Sequence, residues 1–269
     1  YTLSLHDALP IFFGVIDVTW ICYAELVMIG MYGMYYLVQV FHLPYWAAAP
    51  LVILLVALLG AALHFLVIAP LLTAPPINQL LATGGVLFIL QSFATVAFGI
   101  DFKNLGIRLP VLALGEMNFS YARLLSFAAA LAGMIGVYLF LTRTFTGTAI
   151  RAIAQDRQIM PLMGVDPKRI YLVTSAIGGG LAGLAACLLV LQYDVHPFVG
   201  LSFGPITFLI CVLGGLGNFI GGFVAAFVFA EIISLGGLFS DLEWGYVLAF
   251  AFFIVMMFIR PAGLLARRS

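Results

Sequence analysis

Charge is what this sequence has least of. Of 269 residues, 8% are Asp, Glu, Lys or Arg and 64% are hydrophobic, with a mean hydropathy of +1.19. A soluble domain carries about 25% charged residues because its surface must be wetted. That surface is missing here, so the chain is an integral membrane protein. Eleven basic residues balance eleven acidic ones, which leaves no net field to attract nucleic acid or a polyanion. Cysteine is scarce too: Cys22, Cys187 and Cys211 lie far apart, each in or beside an apolar run. This excludes a disulfide framework and a metal site, and fits small buried hydrophobes. A P-loop and H-E-x-x-H are absent, so ATP hydrolysis would have to come from another chain.

What is present is apolar sequence in lengths that suit a bilayer. A crossing helix needs about 20 apolar residues. The pattern predicts an all-α, polytopic transmembrane helical bundle with about eight spans: 21–41, 45–71, 77–99, 124–142, 170–192, 204–217, 219–235 and 244–259. The sixth is short and glycine-rich, as a broken or re-entrant helix would be, and such backbone is stable at membrane depth only when covered by protein or lining a cavity. Residues 143–169 carry five of the eleven Lys and Arg, and Arg260, Arg267 and Arg268 three more. The positive-inside bias puts both segments, and the C-terminus, in the cytoplasm. An even number of crossings must then separate them, which favours 204–217 as a true crossing.

Several features invite a functional assignment. Ser175, Gly179, Gly183 and Cys187 recur every four residues on one helical face, which lets a second backbone come close, within this chain or in a second subunit. The run VLGGLGNFIGG, 212–222, holds five glycines and Asn218. It reads equally as a structural turn or as a stretch of Gly214, Gly215, Gly217 and Asn218 beside a solute path. Ionisable groups inside a membrane are expensive and each is a functional candidate. Glu25 and Glu231 are candidates for the path, while His64 fits a structural role, snorkelling or bonding a backbone carbonyl.

The segment AIRAIAQDRQIMPLMGVDPKRI, 149–170, stands apart. It holds Arg151, Asp156, Arg157, Asp166, Lys168 and Arg169, six of the twenty-two charged residues. Thr146 or Thr148 can cap a short helix running to Arg157, with Arg151 and Gln155 one turn apart. Pro161 suits the first turn of a second short helix, and Asp166-Pro167 the N-cap and first position of the next span. Topology alone needs only Lys and Arg. The mixed signs and mid-loop Gly164 point instead to an ordered docking surface, with Arg151, Gln155, Asp156, Arg157 and Gly164 as its residues.

At this loop the sequence resembles the coupling loop of permease subunits in ATP-binding cassette importers for branched-chain amino acids. The likeness extends to APLLTAPPINQLLATGGVLFILQ from Ala69, SAIGGGLAGLAACLL from Ser175, VLGGLGNFIGG from Val212 and IRPAGLL from Ile259. The resemblance implies a bacterial inner-membrane permease subunit that is no enzyme and binds no cofactor itself. A partner ATPase would use ATP. Its companions would be a second permease subunit, two cytoplasmic ATPase subunits and an extracytoplasmic solute-binding protein, and its solutes branched-chain or related small amino acids and amides. Importer permeases carry E-A-A with a Gly after a three-residue gap in the docking helix. Here Gln158, Ile159 and Met160 precede Gly164, so the spacing is kept and the residue types are not. Near the start the family shows a segment like I-N-F-A-H-G-E, whereas this chain has VTWICYAE, and only Glu25 keeps its place.

Residues 1–11, YTLSLHDALPI, resemble a frame translation of a common short-read sequencing adapter. They are expected to be a non-native scar. Residues 12–269 would then form a single permease domain with coupling loop 143–169, and most of a first family helix would be missing. Two rivals remain at this point. An ion-gradient-driven secondary transporter of a small solute would rely on Glu25 and Glu231, and an intramembrane enzyme would need paired catalytic groups in one span, which the sequence lacks.

Overall fold

The apolar runs are helices in the computed structural model, which describes residues 22–72, 74–107, 111–114, 117–155, 160–215, 218–239, 242–260 and 263. In chain order they are α1 (Tyr23–Gln39), α2 (Tyr45–Leu63, carried by one π-helical turn, His64–Ile68, into Ala69–Leu71) and α3 (Pro76–Phe98). A two-stranded antiparallel ribbon follows, β1 (Val111–Leu114) and β2 (Met117–Ser120), pairing Val111 with Ser120. Then come α4 (Tyr121–Arg143), α5 (Phe145–Gln155), a 3₁₀ turn (Met160–Met163) and α6 (Pro167–Leu189). The chain closes with α7 (Val199–Gly214), α8 (Phe219–Phe239) and α9 (Leu242–Ile259). Five of these stretches are long and apolar enough to cross a membrane: Tyr45–Leu71, Ile77–Phe98, Tyr121–Arg143, Pro167–Leu189 and Ile220–Leu238. Val199–Gly214 and Glu243–Ile259 are shorter apolar helices. The helical bundle is as expected; the ribbon is an addition, between the expected spans 77–99 and 124–142.

Two apolar bodies make up the bundle. The larger is centred on α1, whose Leu26, Met28, Met31 and Met34 are fully buried among α2, α6 and the start of α7. The smaller joins α7, α8 and α9 around Ile210, Ala225, Ala226, Phe229 and Ala249. The outer helices show the reverse pattern, with Phe88, Ile89, Phe93, Val96, Leu248 and Phe258 exposed. Large apolar side chains on the outside suit acyl chains.

Within the larger body α2 and α6 meet backbone to backbone. A methyl group on Gly179 would lie 2.6 Å from the Val56 carbonyl oxygen, one on Gly183 2.8 Å from Ile53 Cα, and one on Gly60 2.8 Å from the Ser175 carbonyl oxygen. Cys187 Sγ donates to the Ala49 carbonyl at 3.8 Å, and the Tyr45 hydroxyl donates to the Cys187 carbonyl at 2.7 Å. The pairs 49/187, 53/183, 56/179 and 60/175 run in opposite directions, so these helices are antiparallel. With no hydrophobic drive between helices in lipid, such close van der Waals packing is what holds them. The small-residue face Ser175, Gly179, Gly183 is therefore occupied by α2 of the same chain.

The start of α6 is fixed by Asp166, whose side chain accepts from the Lys168 backbone N–H at 3.0 Å, with Pro167 opening the helix. This N-cap satisfies one of the donors that a helix start leaves unpaired.

Candidate functional site

Glu25 lies on α1 with 0% of its surface exposed. Its Oε1 accepts from Gln91 Nε2 of α3 at 3.0 Å, while Oε2 has no hydrogen-bond partner among the described residues. A third helix touches the carboxyl group with bare backbone. A methyl group on Gly200, in the first turn of α7, would lie 2.6 Å from Oε1 and 2.9 Å from Oε2. One turn on, the same face of α7 meets α1 again, Gly204 opposite Ala24. The first N–H groups of a helix carry partial positive charge, so a carboxylate is well placed there.

Depth follows from α6. Tyr23 donates from its hydroxyl to the Gly178 carbonyl at 2.9 Å, and Gly178 is the midpoint of the 23-residue α6, a helix about 34 Å long. Glu25 is thus near the middle of the bundle, and α7 begins there rather than at an end.

Outward from Glu25, Tyr32 and Tyr36 fall on the same face of α1, since seven and eleven residues bring a helix back to within about 20°. Tyr32 stacks on Phe98 with ring centres 4.4 Å apart, and its buried hydroxyl has no hydrogen-bond partner among the described residues. Gln91 and Phe98 of α3, like Glu25 and Tyr32 of α1, are seven residues apart. The two helices therefore run parallel and are bridged by side chains rather than by touching backbones. Lys103 closes the top of this seam: Nζ donates to the Tyr36 hydroxyl at 2.9 Å and lies 5.0 Å from the Tyr36 ring centre and 5.6 Å from that of Tyr35.

Lys103 is itself held by the loop between α6 and α7, exchanging both backbone hydrogen bonds with Val195 at 2.9 and 2.8 Å. Asn104 Nδ2 donates to Asp194 Oδ1 at 2.6 Å, and Gln39 Nε2 to the Leu105 carbonyl at 2.6 Å. In the same clasp burial holds the His196 imidazole below its usual value, opposed by the Asp194 carboxylate. Beyond α7 a cavity of about 500 Å³ is lined by Arg123, Gln192, Tyr193, Ile206, Ile233 and Tyr246.

The other expected path residues sit elsewhere. Glu231 is exposed on the surface of α8. Asn218 caps α8, its Oδ1 accepting from the Gly221 N–H at 3.0 Å. Gly214 packs on Gly222 with 2.5 Å from a Cβ position to Cα, and Gly215 has φ +92° and touches Gly263. This is a tight turn between helices; Gly217 lies outside the described residues. His64 is buried beside the Tyr171 ring, 6.4 Å between centres, instead of snorkelling to an interface.

At the far end of α6, α5 forms the ordered element of the charged segment. Its cap is Thr144 rather than Thr146 or Thr148: Thr144 Oγ1 accepts from the Gly147 N–H at 3.0 Å. Ala149, Ile150 and Ile153 are buried, whereas Arg151 is exposed and Phe145 is 80% exposed. Pro161 falls in the 3₁₀ turn, where Met163 is 74% exposed. Gly164 adopts φ +77°, a left-handed conformation that favours glycine. Gln155 ends α5; Asp156, Arg157, Gln158 and Ile159 lie outside the described residues, as do residues 1–11.

The comparison with known proteins fits this architecture. Residues 8–257 match the model of a family described as branched-chain amino acid transport system / permease component. The chain belongs to that family. Among its relatives, the high-affinity branched-chain amino acid transport system permease protein BraD of Pseudomonas aeruginosa is 28% identical, over 95% of this chain and 88% of its own length. LivH of Escherichia coli, of the same description, is 24% identical with the same coverage. A probable branched-chain amino acid transport permease protein LivH from Methanocaldococcus jannaschii is 30% identical over 49% of this chain and 44% of its own. No solved structure matches the chain. For a permease, a polar seam in mid-bundle is where a solute would pass.

Proposed function

We propose that this permease is the membrane-spanning subunit of an ATP-driven importer for branched-chain or related small amino acids and amides. It works beside a second permease subunit, two cytoplasmic ATPase subunits and an extracytoplasmic solute-binding protein. In a bacterium its place is the inner membrane, with the C-terminus and the 143–169 segment cytoplasmic and the Lys103–Val195 clasp external. The observation that carries this reading is the near-full-length likeness to permeases named for branched-chain amino acids. The α5–3₁₀ element supports the docking role, because it presents Phe145, Arg151 and Met163 outward at the basic end of the bundle. ATPase closure would pull on this element and tilt α4 and α6, which flank it.

Co-purification tests the assembly: a P-loop ATPase should come down with the chain, and deletion of residues 148–165 should release it. Charge reversal at Arg157 or Asp156 should uncouple uptake from ATP hydrolysis without affecting membrane insertion. Normal ATP-driven uptake in both variants would remove the docking assignment. Uptake in ATP-free vesicles under a proton or sodium gradient would favour the secondary-transporter alternative.

A further inference from the structure

A carboxyl group in mid-bundle, with one oxygen unengaged, is a costly arrangement. Burying an unsatisfied polar group is unfavourable, and more so for a charged one. Glu25 could have been spared this by a second amide or a lysine. Instead the chain gives it Gln91 on one oxygen and a bare glycine backbone alongside. Lys103, the basic residue of the seam, is tied to Tyr36, eleven residues or about 16 Å further along α1. The free oxygen of Glu25 therefore faces a place that the described residues leave without a donor.

We propose that Glu25 Oε2 accepts the ammonium group of the transported amino acid, and that Gly200 keeps the first turn of α7 bare so that this carboxyl group can hold its position. This deepens the functional reading given above and rests on it. An ammonium offers three donors and a full opposite charge, and removed from water such a charge-assisted bond is about twice as strong as a neutral one. Access requires α7 to move. Gly200 and Gly204 face α1, while Ile206 of the same helix lines the cavity of about 500 Å³ on its other side. The cavity gives α7 room to shift away from α1, which would uncover the Glu25 carboxyl group. Tyr32, two turns outward, gives a second unengaged oxygen on the same face, its hydroxyl.

The test uses the assembled transporter in nanodiscs, without nucleotide or solute-binding protein, and measures displacement of radiolabelled leucine. Two competitors each keep one end of the molecule: 3-methylbutylamine has the ammonium and lacks the carboxylate, and 4-methylpentanoate is the converse. The amine should displace leucine at least about tenfold better than the acid, the scale of one charge-assisted hydrogen bond. E25Q should abolish that ranking and E25D preserve it. G200A should weaken leucine and the amine together. Equal displacement by acid and amine in the wild type, or a ranking unchanged in E25Q, overturns the assignment. If E25Q does not retain its partner subunits, the wild-type ranking and G200A decide. ATP-driven leucine uptake by the same wild-type complex is measured in parallel. Its absence would sink the functional reading, whereas uptake without the ranking, or without any displaceable leucine, sinks only the ammonium assignment.

Discussion

Two seams of this bundle are built on opposite principles. Where α2 meets α6, glycine and other small residues bring backbones into contact, and every partner is apolar or a main-chain carbonyl. Where α1 meets α3 and α7, helices are bridged at side-chain length by Glu25–Gln91, Tyr32–Phe98 and the Lys103 clasp, with hydroxyl and carboxyl oxygens left unengaged. The first seam is packed backbone on backbone, with Ser175 Oγ its one buried hydroxyl that has no partner among the described residues. The second is held by a few polar contacts that can be exchanged for others, which is what a path through a membrane needs.

The contrast breaks most sharply in the tight seam. Gly179→Leu puts four carbons where one already falls 2.6 Å from the Val56 carbonyl oxygen. Overpacking costs about 1–3 kcal/mol when neighbours can yield, and backbone cannot. The expected result is loss of folded protein, read as the monodisperse fraction after detergent extraction; near-normal recovery would show that this seam is plastic. In the polar seam the balance should reverse. Gln91→Leu removes the amide that Glu25 Oε1 accepts from and should lower stability by about 1–3 kcal/mol, seen in a thermal unfolding shift. Transport per folded molecule should fall further than that loss of fold accounts for. Equal losses of fold and transport would make this seam structural like the other. Lys103→Met is the mildest change, costing about 0.5–1 kcal/mol of cation–π and hydrogen-bond contact at a partly exposed site. It should loosen the clasp, raising hydrogen exchange in residues 99–107 and 190–198 together. Exchange confined to one loop would show that Lys103 does not couple them.

Much of the helical frame was legible because membrane spans declare themselves by length. The expected 45–71 is the observed α2 with its π-turn, and 77–99 differs from α3 by one residue at each end. Asp166-Pro167 was readable as an N-cap because the cap is a local interaction. The cap of α5 was expected at Thr146 or Thr148 and is Thr144. It is decided by Gly147, which alone can press against the backbone of Phe140 and Leu141. The start of α7 was expected at 204 and lies at Val199, because Pro205 is accommodated inside the helix and such breaks are tolerated where neighbours cover the backbone. The sharpest omission was Gly200. Its meeting with Glu25 spans 175 residues of chain and leaves no periodicity or motif behind. Glu25 itself was visible as an expense, a charge where lipid forbids one, and as the residue that keeps its place in the family's opening segment. Glu231 gave the first of these signals and proved to lie on the surface of its helix.

The position of α7 bears on how the molecule is made. Its 16 residues reach about 24 Å, short of the roughly 30 Å of hydrocarbon that an independent span must cover. Such a segment gains little by partitioning alone as it leaves the ribosome. It becomes stable once α1 and α6 are in place to receive its first turn. The chain must therefore complete its central helices before the first turn of α7 can settle.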